Sequence, residues 1–204
     1  MDSQKDLVNH LINTNALHSP EIIKAFLDID RSDFVRDYNS YATYEDFPLS
    51  IGNSQTISQP TTVAMMLEML SPKQGNSILD IGSGSGWTTA MLAHIAGPEG
   101  SVTGLERVDE LVKFGSNNLD KYHFNNATIL KATDRLGIEG KKFDRILVSA
   151  SAQKFPAKLT DQLKPGGKLV IPVKNSIFEI TKREDDTLKI IEHYGFVFVP
   201  LIYS

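Results

Sequence analysis

A chain of 204 residues, 41% hydrophobic and 23% charged, is long enough to bury a core and reads as one ordinary soluble globule. Its formal net charge of -4 and pI near 5.7 argue against a nucleic-acid or anionic-membrane partner. With no cysteine it has no disulfide, thiolate zinc site or cysteine nucleophile, and its polar start, MDSQKDLVNH, has no leader design, so a cytoplasmic location is expected.

Leu7, Val8, Leu11 and Ile12 form a helical stripe and predict a helix over 6–17. Ser19-Pro20 before EIIKAFLDI reads as an N-cap, a proline at the first helical position and a second short helix. The stretch 30–58 is aromatic and turn-rich. Phe34, Tyr38, Tyr41, Tyr44 and Phe47 are too spread for one helix face, so it reads as a long functional loop. Pro60 then starts a helix through Leu70, with Val63, Met66, Leu67 and Leu70 inward and the methionines Met65, Met66 and Met69 in the core.

The next stretch, ILDIGSGSGWTTAMLAHIAG, reads as a strand, a glycine turn and a helix. Alternating Gly82, Gly84 and Gly86 allow positive φ and a close approach of backbone to ligand. The turn lacks the Gly-Lys-Ser/Thr ending of a phosphate-binding loop, which weakens a nucleotide-triphosphate reading. A strand over 101–105 delivers Glu106 about twenty residues later, where an acid can accept both ribose hydroxyls. Dinucleotides and S-adenosylmethionine both use such an acid. The tight Gly-x-Gly-x-Gly spacing, with Asp80 two residues ahead, favours S-adenosylmethionine, and a turn needed only for close packing is the bland alternative.

Strand and helix then alternate. Asp109 caps a helix with Leu111, Val112 and Phe114; 127–130 is a third strand, and 143–149, apolar on both faces, a fourth. Pro156 opens a helix to Leu163, Lys164-Pro-Gly-Gly stops it, and 168–173 is a fifth strand. The segments 178–182 and 190–202 read as a closing strand pair around Glu184-Asp185-Asp186. His10, His18, His94, His123 and His193 have no metal-ligand spacing and are expected at the surface or at helix ends, so no metal is expected.

This order resembles the class I methyltransferase fold: an α/β, Rossmann-like, doubly wound and mostly parallel sheet with a terminal antiparallel pair and an N-terminal helical extension. The stretches DRSDFV, IGNSQTISQP, LDIGSGSGW, QLKPGGKLVIPV and FVPL, spread over nearly the whole chain, are similar to those of protein-L-isoaspartate O-methyltransferases. TISQP is the specific piece. The resemblance implies one domain over 1–204, with helices and a substrate and cofactor loop in 1–75 and the core in 76–204. It implies S-adenosylmethionine as methyl donor and isoaspartyl peptides and proteins as acceptors, methylated on the α-carboxylate; a monomer is favoured.

By the same resemblance, Ser58 holds the acceptor carboxylate, with N-capping of the next helix as its other reading. Thr56 and Ile57 wall the cofactor site, and Gly82, Ser83, Gly84 and Gly86 line its methionine end with Asp80 near the amino group. Glu106 binds the ribose hydroxyls, and Arg107 belongs to the cofactor site. Val148, Ser149, Ala150 and Ser151 offer backbone to substrate. Where the family reads Gly-Asp-Gly at the adenine, this chain has Ala132, Thr133 and Asp134, so either Thr133 or Asp134 takes that place. Thr61 and Trp87 also depart from the usual residues. Two other readings remain open: a relative acting on an aspartate of one dedicated peptide, and a non-catalytic protein-binding relative. A carboxylate acceptor is already ionised at neutral pH, so no strong base is required.

Overall fold

The computed structural model describes residues 1–203, without the Tyr38 side chain. Helices α1 (Gln4–Asn13) and α2 (Pro20–Asp28) open the chain, and two 3-10 turns follow at Arg31–Phe34 and Asp37–Ala42. Strands β1 (Leu49–Gly52) and β2 (Gln55–Ile57) form a separate hairpin before α3 (Pro60–Leu70). The core then runs β3 (Ser77–Ile81), α4 (Trp87–Ala96), β4 (Ser101–Glu106), α5 (Asp109–Asp120), β5 (Ala127–Lys131) and β6 (Phe143–Val148). It ends with α6 (Ala157–Thr160), β7 (Leu163–Val173), β8 (Ser176–Lys182) and β9 (Leu188–Tyr194).

The seven-stranded sheet has the order β5-β4-β3-β6-β7-β8-β9, parallel from β5 to β7 and antiparallel at β7-β8 and β8-β9. Because strand side chains alternate, Ile78, Leu147 and Val170 face one core while Leu79, Ile146, Val148, Leu169 and Ile171 face the other. The first core carries residues of α1 to α5 and is thick. The second is covered by α6 and the irregular segment around Leu136. The chain leaves β3 toward β4 and later returns to β3's other side with β6, so the sheet's switch point lies at the carboxyl ends of β3 and β6.

The differences from the sequence reading have local causes. The loop 30–58 contains a hairpin, because Asn53 (φ 52) and Ser54 (φ 57) supply the two positive φ angles of a two-residue turn. Asp109 is the first helical residue of α5 and Val108 its cap. Helix α1 ends at Asn13, α6 spans one turn, and β7 starts at Leu163, taking the Pro-Gly-Gly as an irregular stretch between the pairs Phe143↔Leu163 and Arg145↔Lys168. The last strand stops at Tyr194. Gly195, at φ 101, turns the chain back so that Pro200 bridges Ser151. None of the five histidines is fully buried, and the described residues contain no cluster of three or more metal-ligand types.

Candidate active site

The cleft at the switch point holds about 810 Å³ of non-atom space, its open mouth included, and four segments wall it. These are the end of the hairpin (Gln55, Thr56, Ile57, Ser58), the glycine turn with the start of α4, the end of β4 with Glu106 and Arg107, and Ser149 with Ala150 after β6. The tail residues Val199 to Ile202 close one side. A second groove, lined by Pro48, Thr56, Ser58, Gln59, Thr62, Ser149 and Val197 to Val199, adjoins the cleft and shares Thr56, Ser58, Ser149 and Val199 with it. Ser58 therefore stands between two spaces.

The glycine turn is held from below and behind. Gly82 N–H and Ser83 N–H both donate to Leu105 O, at 2.8 and 3.2 Å. Gly82, Gly84 and Gly86 have φ of 80, 52 and 88°, so each takes a conformation that a side chain strains. Gly86 does not line the cleft. A Cβ there would meet Gly115 O at 3.0 Å, so its role is close packing of α5 against the turn.

Asp80 lies fully buried beneath this turn, behind the cleft wall. Its Oδ2 accepts from Thr88 Oγ1 and Thr89 Oγ1, both at 2.7 Å, while its Oδ1 has no partner among the described residues. Burial pushes its carboxyl up to about 6; the two threonine hydroxyls oppose the shift, and the charge of Glu106 adds to it. The buried Ser83 Oγ is likewise without a partner among the described residues. An unpartnered carboxylate oxygen and hydroxyl complement the ammonium and carboxylate of an α-amino acid. At the next strand end Glu106, 5% exposed, accepts Gly84 N–H on Oε2 at 3.0 Å and Val108 N–H on Oε1 at 2.9 Å. Each oxygen keeps a further lone pair, as two vicinal ribose hydroxyls require. These residues fit S-adenosylmethionine.

Ser58 does not cap α3. The cap residue is Gln59, and the carboxylate of Asp46 takes Thr61 N–H at 2.9 Å and Thr61 Oγ1 at 2.7 Å. Ser58 Oγ has no hydrogen-bond partner among the described residues, whereas its carbonyl accepts from Arg31 Nη2 at 3.2 Å. The hairpin is pressed onto the turn by Ile51, whose Cδ1 would lie 3.2 Å from a Cβ on Gly84.

Not every expected residue meets at the cleft. Thr133 and Asp134 are exposed and outside its walls; Thr133 Oγ1 accepts Arg135 N–H at 3.3 Å, and Ala132 borders the cleft instead. Val148 is wholly buried in the sheet. The Ser151 backbone is consumed by the tail, its N–H donating to Val199 O and its carbonyl accepting Leu201 N–H, both at 2.8 Å. Among this loop's residues, Ser149 and Ala150 line the cleft. Sequence reasoning passed over Thr88, Arg31 and the tail. The signals were present: a threonine pair behind a glycine turn, an arginine in DRSDFV, and FVPL itself.

The model of the Protein-L-isoaspartate(D-aspartate) O-methyltransferase family matches residues 2–204. A protein-L-isoaspartate O-methyltransferase of Pyrococcus horikoshii is 41% identical, over 97% of this chain and 92% of its own. One from Methanopyrus kandleri is 38% identical, over 98% and 91%. A Plasmodium falciparum protein assigned as a protein-L-isoaspartate O-methyltransferase, crystallised with S-adenosyl-L-homocysteine, superposes with a TM-score of 0.89 over the whole of both chains at 28% identity. The class I methyltransferase sheet, the cleft at its switch point and a family match along nearly the whole chain agree: this chain belongs to the protein-L-isoaspartate(D-aspartate) O-methyltransferase family.

Proposed function

We propose that the protein transfers a methyl group from S-adenosylmethionine to the α-carboxylate of L-isoaspartyl residues in damaged proteins. The observation that carries this reading is the placement of Ser58. Its partnerless hydroxyl stands between the cleft walled by Gly82 to Gly84 and Glu106 and an outer groove open to a peptide.

S-adenosylmethionine, when bound, supplies a methyl group on a sulfonium, already activated toward an anionic oxygen. Asp80, Ser83 and the glycine turn would hold its amino-acid end, and Glu106 its ribose. Ser58 Oγ–H would donate to one oxygen of the acceptor carboxylate and aim the other. Ile57, Val63 and the tail exclude water from the anion, so orientation and desolvation do the work that a base does elsewhere. Nothing needs to remove a proton.

Thr61, whose departure from the family pattern suggested another acceptor, spends its hydroxyl on Asp46 and does not line the groove. The general repair activity is therefore the better reading. No helix among the described residues is long and apolar enough to cross a membrane. That the protein works in the cytoplasm, as a monomer and without nucleic acid, is part of the same proposal.

The test is methylation of an isoaspartyl peptide and its aspartyl isomer at saturating cofactor, read as methanol released from the ester. Methyl transfer to the isoaspartyl form alone is expected. Equal transfer to both isomers, or none to either, would overturn the reading.

A further inference from the structure

The acceptor is an anion, and among the described residues the lining on its side of the site includes no cation. Neither the hairpin wall, nor Ser149 and Ala150, nor the tail, nor the outer groove contributes a lysine, arginine or histidine to the lining. The cationic side chain in the cleft's walls is Arg107, exposed, beside Glu106 at the cofactor end. Asp80 and Glu106, both buried, put negative charge into the same cleft. An acceptor carboxylate entering there meets the positive sulfonium of the bound cofactor, but from the protein it can meet positive charge only from behind these walls.

Arg31 supplies it from behind. The side chain is fully buried and sits in a ring of carbonyls: Nη1 donates to Thr43 O at 2.6 Å and Glu45 O at 3.1 Å, and Nη2 to Phe47 O at 3.1 Å and Ser58 O at 3.2 Å. Its guanidinium carbon lies 5.5 Å from the centroid of Trp87, a residue that lines the cleft. No carboxylate among the described residues pairs with it directly. Asp46, the acid that acts on it through space, is engaged by Thr61 and Gln59, with His10 at 3.8 Å. Burial draws the guanidinium down to about 10, which leaves it charged at neutral pH.

Carbonyl dipoles solvate the guanidinium without cancelling its charge, so its field reaches through the Ser58 peptide into a space that excludes water.

We propose that Arg31 is a positioning residue for the acceptor: it fixes the Ser58 backbone and presents behind Ser58 a positive charge, in direct contact with no described carboxylate, that favours an anionic acceptor. This rests on Ser58 facing the acceptor, and it adds a charge requirement that the serine hydroxyl alone does not impose.

The test compares the binding of two ligands of one shape, an isoaspartyl peptide and its α-carboxamide, to the full-length wild type, Arg31→Gln and Arg31→Lys with S-adenosyl-L-homocysteine bound, and measures turnover separately with S-adenosylmethionine. The wild type should bind the acid more tightly than the amide. In Arg31→Gln that ratio should fall at least ~5-fold, and in Arg31→Lys, which keeps the charge but loses the fork, it should stay within ~2-fold while turnover drops ~10-fold or more. Cofactor affinity within ~2-fold of wild type marks the variants as folded.

Equal losses for acid and amide in Arg31→Gln would make the arginine a structural hub alone and overturn the inference. If Arg31→Gln does not bind cofactor, Arg31→Lys decides: a collapsed ratio or unchanged turnover overturns it, and a retained ratio with lowered turnover supports it. A wild type that methylates the isoaspartyl peptide yet binds acid and amide alike refutes the Arg31 inference and leaves the functional reading standing. A wild type that methylates no isoaspartyl peptide refutes the functional reading itself.

Discussion

Asp80→Asn separates what the fold tolerates from what the ligand needs. The Asp80 carboxyl is fully buried, and burial raises its pKa from 3.8 to about 6. A carboxyl raised in this way holds its proton more tightly in the folded state. Its contribution to stability is thus full below the unfolded pKa of 3.8 and is lost as pH rises to about 6. At about 1.36 kcal/mol per pKa unit, the shift corresponds to about 3 kcal/mol of cost at neutral pH. Asparagine carries no charge and keeps an oxygen for Thr88 and Thr89, but it turns an amide N–H toward the position of the partnerless Oδ1. That unmet donor costs about 1–3 kcal/mol.

The ligand-free variant should therefore be as stable as wild type at pH 8, or up to about 2 kcal/mol more stable. The more telling quantity is the change with pH. Between about pH 4 and pH 8 the difference between variant and wild type should move by about 2.5 kcal/mol in the variant's favour, or roughly 5–10 °C in melting temperature for a chain of this size. Thermal melts of both proteins at pH 4, 6 and 8, without ligand, measure it directly. Calorimetry at pH 8 should show S-adenosylmethionine binding weakened at least ~30-fold, because the ammonium loses its anion. Melting differences that stay constant with pH would refute the buried-charge reasoning. Unchanged cofactor affinity would remove Asp80 from the ammonium.

Other substitutions probe the remaining parts. Ser58→Ala should lower turnover on an isoaspartyl peptide at least ~10-fold while stability stays within about 0.5 kcal/mol, since Oγ has no partner to lose; a matching loss of cofactor affinity would make the serine structural. Glu106→Ala removes the acceptor of Gly84 N–H and Val108 N–H and should cost about 1–3 kcal/mol in urea unfolding, together with weaker cofactor binding. Gly115→Ala places a Cβ 2.8 Å from Ile129 Cδ1 and 2.9 Å from Gly84 O, so about 1–3 kcal/mol of destabilisation and a displaced glycine turn are expected, read by melting and by cofactor titration. Thr133→Ala and Asp134→Ala should each leave cofactor affinity within ~2-fold, since neither side chain reaches the cleft; a larger loss would show that the segment closes over the ligand.

The core of the fold was legible because its signals are local. The apolar run Ile78 to Ile81, the glycine alternation and the periodic helices each report a backbone state over a few residues, and the structure has β3, α4 and α3 where the pattern puts them. Less was legible where a neighbour outvotes the local pattern. The hairpin was hidden because Asn53-Ser54 is a weaker turn signal than Asn-Gly. The last strand ends sooner than its pattern predicts: Val197 to Ile202 is apolar, yet Gly195 breaks the ladder and Ser151 captures the tail.

By itself, then, the sequence determined the parallel core, the glycine turn, an acid at the end of β4 and a serine ahead of α3. Each is written in residues adjacent along the chain. Only the tertiary structure decided that Asp46 caps α3 and leaves the Ser58 hydroxyl without a partner among the described residues, that Ala132 rather than Thr133 or Asp134 borders the cleft, and that Arg31 stands behind the Ser58 backbone. These depend on polar groups far apart in sequence finding partners once water is excluded, and burial is a property of the assembled fold.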